Sequence, residues 1–219
     1  MNASIKYGAA LVAAFAMFGA AAQAAPISSN PTFTSGDLTF SNFTVAVTNQ
    51  GAAAPTDPSA IDVSALTGAT GIQISSGFTA IGGPGANFSD AAITYVASGT
   101  AGLTSVGLSF DGYFMGLAVA SVTESVFADA ARSVLLGRAV VSCSLAGCSQ
   151  TASVALSSSA DTLYITKDIN VTAFQGGIAQ TSIITQSFGP TAVPEPMSLA
   201  LFGTGLVGLG LVRRARKSA

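Results

Sequence analysis

The central part of the chain alternates apolar and polar residues in short runs, and this period of two constrains the fold more than any other feature. The runs lie between Phe33 and Phe188 and are bounded by Gly, Pro, Ser, Asn and Asp. Their polar positions are mostly Ser and Thr, which suit strands better than surface helices. We predict about eight to ten short strands in a single all-β, β-sandwich-like domain.

Three places interrupt the regular alternation. The apolar phase changes at Ser41-Asn42, which predicts a β-bulge or a crossing between sheets. Asp111-Gly112 precedes another alternating run and predicts a hairpin. From residue 124 to 136 the apolar residues fit helical spacing, and residues 121–124 read as a capping box, so this stretch is either a short helix or a loop between strands.

The only two cysteines flank a four-residue segment. Cys143 and Cys148 would face each other across a hairpin with a four-residue turn. If the chain is exported, an oxidising compartment favours a disulfide between them, worth about 2 kcal/mol for so small a ring. A catalytic or metal-binding pair of thiols is the alternative.

The N-terminus has the three parts of a secretory signal peptide. A short start with Lys6 is followed by an apolar run and by small residues at a cleavage site. We predict a signal peptide over residues 1–24, cut by signal peptidase after Ala24 with Ala22 at the second recognition position. A retained N-terminal anchor is the alternative, but the apolar run is short for a membrane span.

The C-terminus has a Pro-containing motif, an apolar segment and a basic cluster, in that order. The apolar segment, residues 197–212, would form a helix of about 24 Å against a hydrocarbon core of about 30 Å. It would therefore hold the protein in the inner membrane only weakly, and the cations behind it would stay on the cytoplasmic side. The motif consists of Val193, Pro194, Glu195 and Pro196, and the basic stop consists of Arg213, Arg214, Arg216 and Lys217.

Without its two ends the chain is acidic. Between Ala25 and Val193 there are three cations and nine acids, a formal charge of −6, against −2 for the whole chain. Nucleic-acid binding needs clustered Lys and Arg, so we expect no nucleic-acid partner.

The residue inventory excludes several kinds of catalytic site. The chain has no histidine, which removes Ser-His-Asp and Cys-His catalysis and His-ligated zinc. We therefore predict no catalytic residues, no metal site and no cofactor. Carboxylate chemistry remains an alternative, with Glu124, Asp129 and Asp111 as the candidate acids of a glycoside hydrolase.

The three-part C-terminus resembles a PEP-CTERM sorting domain over about residues 192 to 217. The resemblance implies recognition and processing by exosortase, a membrane-embedded protease of Gram-negative bacteria that make exopolysaccharide. It divides the chain into a signal peptide (1–24), an exported domain (25–190) and a sorting segment (191–219). Within that segment lie the motif at 193–196, a transmembrane helix at 197–212 and the basic tail at 213–217.

The exported domain resembles one group of PEP-CTERM proteins, and that resemblance implies no activity. It rests on the cysteine pair, on Phe188 before the tag and on segments 36–43, 121–127 and 163–169. Within the last segment, Lys167-Asp168 is either a structural ion pair at a strand end or a surface feature, and we prefer the structural interpretation.

These expectations lead to one principal function and two alternatives. The principal expectation is a non-enzymatic exported protein, first anchored in the inner membrane, then processed and placed at the cell surface or in the extracellular matrix. The first alternative is a carbohydrate-binding module that contacts exopolysaccharide through exposed Tyr95, Tyr113 and Tyr164. The second is the carboxylate glycosidase.

Overall fold

The computed structural model describes residues 24–190 of the chain. The predicted signal peptide, apart from Ala24, and the whole sorting segment lie outside these residues. Within residues 24–190, no helix has both the length and the hydropathy needed to span a membrane.

The described residues form an antiparallel all-β fold of 13 strands in one sheet, which confirms the all-β class and exceeds the eight to ten strands predicted. Two short 3-10 helices, Ile27–Ser29 and Pro58–Ala60, complete it. The strands are β1 (Ala25–Pro26), β2 (Phe33–Ser35), β3 (Leu38–Gln50), β4 (Ala53–Ala54), β5 (Asp62–Ala65), β6 (Gly71–Ile81), β7 (Asn87–Phe110), β8 (Tyr113–Met115), β9 (Ala118–Phe127), β10 (Leu135–Ser144), β11 (Gly147–Ser149), β12 (Thr151–Ala173) and β13 (Ile178–Pro190).

Two strands are much longer than the sequence pattern indicates, and they run through both halves of the fold. β7 has 24 residues and β12 has 23. The first half of β7 pairs with β3 and with the second half of β12, whereas its second half pairs with β13 and the first part of β12. The register between β7 and β12 shifts around Ala160, between the two halves. A register shift of this kind is a β-bulge or a similar irregularity, and such features let a strand bend sharply.

The sheet curls until its two halves pack against each other. Gln186 on β13 pairs in register with Leu108, 13 residues beyond Tyr95 on β7. A straight strand would separate these positions by about 43 Å. Nevertheless, the Tyr95 and Gln186 side chains are hydrogen-bonded. The sandwich-like packing therefore arises from one continuous curled sheet and not from two separate sheets.

The core lies between the two halves and collects one phase of each alternating run. From β12 it takes Leu163, Ile165 and Ile169, and from β7 it takes Ile93 and Ala97, all fully buried. Every second side chain of a strand lies on the inner face, so the period of two in the sequence predicts which residues are buried in the core.

The bulge predicted at Ser41-Asn42 is present. The register between β3 and β7 shifts between Ser41 and Thr44, and Asn42 has a φ of 57°. This left-handed conformation is one that Asn tolerates better than most residues. The shift brings Phe40 and Phe43 to the same buried side of the strand.

Two local predictions are wrong. Asp111-Gly112 does not form a hairpin, because β8 pairs with β13 and not with β7. Residues 121–124 do not cap a helix, because they lie inside β9, where Val122, Glu124 and Val126 are buried in alternation. Of the two readings of 124–136, the loop is correct for residues 128–134, which connect β9 to β10.

Candidate functional site

Two oppositely charged side chains are completely buried in the core. Lys167 on β12 and Glu124 on β9 are direct partners in the antiparallel register. Lys167 Nζ donates to Glu124 Oε2, and both side chains have a relative exposure of 0%. Burial of charge without a partner is expensive, so each of these groups depends on the other.

Two further polar side chains extend this pair, one of them from the other half of the sheet. Gln186 on β13 donates from Nε2 to Glu124 Oε1 over 2.6 Å. The Tyr95 hydroxyl on β7 donates to Gln186 Oε1. We call Tyr95, Gln186, Glu124 and Lys167 the buried network. Each oxygen of the Glu124 carboxylate has its own donor, so both are satisfied.

Aromatic side chains surround one end of the buried network. The ring of Tyr95 stacks on Phe43 at 5.2 Å between centroids and lies 6.4 Å from the ring of Phe40. Phe188, two residues after Gln186, packs on Phe40 at 5.5 Å. These rings shield the network from solvent, and so strengthen each hydrogen bond within it.

Burial changes the proton affinity of two members of the network. Desolvation raises the pKa of Glu124, and the attraction of the Lys167 ammonium opposes this rise without cancelling it. Burial also raises the pKa of Tyr95 well above its usual value, and the charge of Glu124 adds to the rise. Tyr95 is therefore a hydroxyl donor over the whole physiological pH range.

The structure corrects the interpretation of Lys167-Asp168. Successive residues of a strand point to opposite faces, so Lys167 enters the core while Asp168 lies exposed on the outer face. The ion pair is between Lys167 and Glu124. The pKa of Asp168 is raised by partial burial and by nearby Asp90, and Arg138 counteracts this.

The three candidate acids of a glycosidase have different surroundings. Glu124 belongs to the buried network. Asp111 accepts hydrogen bonds from β13, namely from Thr181 Oγ1, from the backbone and side chain of Ser182 and from the Ile183 amide. Partial burial alone would raise the pKa of Asp111, but these hydrogen bonds outweigh it and lower the pKa.

Asp129 shapes the loop between β9 and β10. Its carboxylate accepts from the backbone amides of Ser133 and Val134 and from the Ser133 hydroxyl. The hydrogen bond from Val134 is the largest cause of the lowered pKa of Asp129. Each of the three acids thus has a structural role that the residue type alone did not reveal.

Two surface grooves are lined without any acidic residue. One, of about 210 Å³, lies over β7, β12 and β13 and includes Ser109, Thr151 and Thr185. The other, of about 170 Å³, is largely apolar and includes Leu117, Leu145 and Phe174. Within residues 24–190, no group of three or more His, Cys, Asp or Glu side chains is placed to hold a metal ion.

The tyrosines expected to contact carbohydrate are not equivalent. Tyr95 is fully buried, so the expectation that it is exposed is wrong. It lies in the inward phase of β7, which its alternation with Ile93 and Ala97 could have indicated. Tyr113 is 52% exposed on β8, and Tyr164 is partly buried on β12.

The predicted disulfide is present. Cys143 on β10 and Cys148 on β11 are register partners across the hairpin and are joined. Cys143 is fully buried, whereas Cys148 is exposed.

The remaining predicted sites are almost all outside the described residues. These are Ala22, the motif Val193, Pro194, Glu195 and Pro196, and the basic stop Arg213, Arg214, Arg216 and Lys217. Ala24, the other residue of the predicted signal peptidase site, is exposed at the start of the described chain. Ala25 already pairs with Val63.

Comparison with protein families identifies the C-terminal segment. Residues 192–217 match the PEP-CTERM protein-sorting motif, in agreement with the sequence resemblance. The motif indicates an exported, membrane-anchored protein that exosortase processes. No curated protein matches the chain.

Two solved structures share a distant likeness with the chain. TmCBM61, solved with beta-1,4-galactotriose, is 12% identical over 67% of this chain and 88% of its own, with a TM-score of 0.34. The enzymatically active domain of tailspike protein 4 from Bacteriophage CBA120 is 13% identical over 68% of this chain and 19% of its own, with a TM-score of 0.31. At these scores the likenesses carry no argument about fold or function.

Proposed function

We propose, from the premise that this chain is a PEP-CTERM sorting domain-containing protein, that its exported domain is a non-enzymatic structural component of the cell envelope or extracellular matrix. The single observation that carries the proposal is the sorting motif at residues 192–217. In this proposal signal peptidase removes residues 1–24 and exosortase cuts near Pro194-Glu195-Pro196. The domain then reaches the cell surface or the matrix of a Gram-negative bacterium.

The arrangement of the described domain supports this sequence of events. β13 ends at Pro190, three residues before the motif begins at Val193, so a protease acting at the motif need not unfold the sheet. A cut after Ala24 leaves Ala25 in its pairing with Val63. The Cys143–Cys148 disulfide is typical of oxidising compartments outside the cytosol.

A structural role agrees with the positions of the acidic residues. Asp111 and Asp129 hold backbone amides, and Glu124 neutralises a buried lysine. A carboxylate glycoside hydrolase needs a pair of carboxyl groups that face a substrate from a common cleft. The hydrogen-bonding demands on these three acids leave each of them committed to the fold.

Mass spectrometry of both ends of the protein isolated from its native cells would test the processing. We expect an N-terminus at Ala25 and a C-terminus near residues 194–196. A matched pair of variants distinguishes the motif from the apolar segment that follows it. Glu195→Ala should leave the C-terminus uncut, whereas Ser198→Ala, within the apolar segment, should still be cut. Recovery of mature protein that still carries residues 213–219 would contradict the proposal.

Binding of exopolysaccharide is a second candidate, and the exposed ring of Tyr113 favours it. Tyr113 is 52% exposed, and an exposed tyrosine offers an apolar ring with a polar hydroxyl. The purified protein should then be retained by matrix polysaccharide, and Tyr113→Ala should lower the retention more than the control Tyr164→Phe. Equal retention of the two variants would remove this candidate.

A further inference from the structure

The buried network holds an amine and a carboxamide, the two reactants of a transamidation, against a single carboxylate. Lys167 supplies a primary amine on Glu124 Oε2, and Gln186 supplies a carboxamide whose nitrogen lies 2.6 Å from Glu124 Oε1. All three side chains are buried, with 1% exposure for Gln186 and none for the other two. Groups held in this way react as if at very high concentration, because their orientation is already fixed.

We infer that Lys167 and Gln186 become joined by an intramolecular amide bond, in a reaction for which Glu124 carries the protons. The Lys167 nitrogen replaces the Gln186 amide nitrogen, which leaves as ammonia. The exchange is neither an oxidation nor a reduction. It therefore needs no oxidant or reductant, and each chain performs it once upon itself.

Every proton transfer in the reaction takes place between members of the buried network. Lys167 gives a proton to Glu124, and its neutral Nζ then forms a bond to Cδ of Gln186 while the carbonyl electron pair moves onto Oε1. Glu124 passes its proton to Nε2 and takes a second proton from Nζ. The Cδ–Nε2 bond breaks, ammonia leaves, and the products are a secondary amide and a neutral carboxylic acid at Glu124. All five of the protons that began on the two nitrogens are accounted for.

Tyr95 is placed where negative charge develops. Its hydroxyl already donates to Gln186 Oε1, the oxygen that becomes an alkoxide when the amine attacks. A donor fixed in advance at such a position stabilises the transition state without reorganisation. Because burial raises the pKa of Tyr95, this donor keeps its proton.

The environment favours exchange over hydrolysis. Phe40 and Phe43 pack on the Tyr95 ring, and Phe188 packs on Phe40. Gln186 is itself buried, so the core offers little room for a competing water. Desolvation also raises the pKa of Glu124, which suits a group that must accept and return protons. A neutral Glu124 at the end of the reaction is the form that a buried site prefers.

The bond would connect parts of the sheet that are not neighbours. In the strand order β13-β7-β12, strand β7 separates the two strands that carry Gln186 and Lys167. β13 is also the last strand before the sorting motif, so tension on the C-terminal segment would act first on it. The amide would fasten β13 across the core. The reaction that forms the amide depends only on the buried network, and not on processing at the sorting motif.

Mass spectrometry of the protein isolated after export, and reduced before measurement, tests the inference. We expect a mass lower by one ammonia than the mass calculated for the residues that the isolated protein retains. Chymotrypsin, which cuts after Tyr164, Phe174 and Phe188, should release residues 165–174 and 175–188 as one branched peptide joined through Lys167 and Gln186. Trypsin should fail to cut after Lys167.

Three variants assign the roles. Lys167→Arg keeps the positive charge but should abolish the branched peptide. Glu124→Gln keeps the shape but should also abolish it, and Tyr95→Phe should slow its formation. Thr166→Ala, on the outer face beside Lys167, is the matched control and should react fully.

The results that would overturn the inference are equally definite. Separate 165–174 and 175–188 peptides from the folded wild-type protein would refute the bond, whether or not any variant folds. A branched peptide that joins Lys167 to Glu124 with loss of water would refute Gln186 as the partner. Full crosslinking in Glu124→Gln would refute the role of Glu124.

Discussion

Lys167 and Glu124 occupy directly opposed positions on β12 and β9, and neither side chain has any solvent exposure. Their antiparallel pairing fixes the two backbones, so the contact depends on the register and not on a flexible approach. Gln186 reaches the same carboxylate from the opposite half of the curled sheet. Tyr95, which lies in the same half as Lys167, donates to Gln186 Oε1. The network therefore ties the two halves together at the centre of the core.

Loss of the carboxylate alone should destabilise the domain severely. Glu124→Leu leaves the Lys167 ammonium and the Gln186 amide without an acceptor, and a broken buried ion pair costs about 3–5 kcal/mol. The double variant Glu124→Leu/Lys167→Met removes both charges and should cost clearly less. Urea denaturation of the two variants gives the difference.

This comparison is independent of any bond between Lys167 and Gln186, because each variant lacks the proposed proton carrier. Thr123→Ala, on the outer face beside Glu124, serves as the control and should change the free energy of unfolding by less than about 0.5 kcal/mol. A double variant less stable than Glu124→Leu would contradict the buried-charge argument.

The sequence predicts the fold class well because alternation determines which face of a strand is buried. The same alternation places Lys167 between Ile165 and Ile169 and Glu124 between Val122 and Val126, all of them buried. That phase could have identified the ion pair. Reading Lys167-Asp168 as a dipeptide missed it, since adjacent strand residues face opposite ways.

The sequence could not have predicted that Gln186 and Tyr95 join the network. Their contact requires β7 to bend between Tyr95 and Leu108, and this bend depends on long-range register shifts that no local pattern shows. The same limit explains the failed hairpin at Asp111-Gly112. The Asp111 carboxylate holds the amides of Ser182 and Ile183, and the chain continues to pair with β13.

Asp111 should make stability depend on pH in the acid range. Its pKa is lower in the folded state than in the unfolded chain, so its contribution is complete above the unfolded value of about 4 and is lost as the pH falls through the folded pKa. The stability difference between wild type and Asp111→Asn should therefore shrink below pH of about 4. Urea midpoints measured at several pH values would check this, and Asp37→Asn is a suitable control.

Gly82 lies against backbone and should not accept a side chain. A Cβ there would stand 1.6 Å from the Phe174 carbonyl oxygen, which cannot move aside without disturbing the end of β12. We expect Gly82→Ala to lower the free energy of unfolding by about 1–3 kcal/mol or more. Gly77, in the neighbouring β6 strand, has nothing within 4 Å of such a Cβ and is the matched control. Equal thermal stability of the two variants would show that the close approach of Gly82 to the Phe174 carbonyl does not exclude a side chain.

The disulfide should stabilise the β10–β11 hairpin modestly. Cys143 and Cys148 close a ring with a sequence separation of 5, for which chain-entropy reasoning gives about 2 kcal/mol. Cys143→Ala/Cys148→Ala should lower the free energy of unfolding by about this amount, with an added loss from the buried Cys143 side chain. Cys143→Ala in reduced protein, where no disulfide exists, isolates the loss from that buried side chain, and Cys148→Ala in reduced protein is the control because Cys148 is exposed. If the double variant is as stable as oxidised wild type, the bond contributes nothing and the hairpin is held by its register with β9 alone.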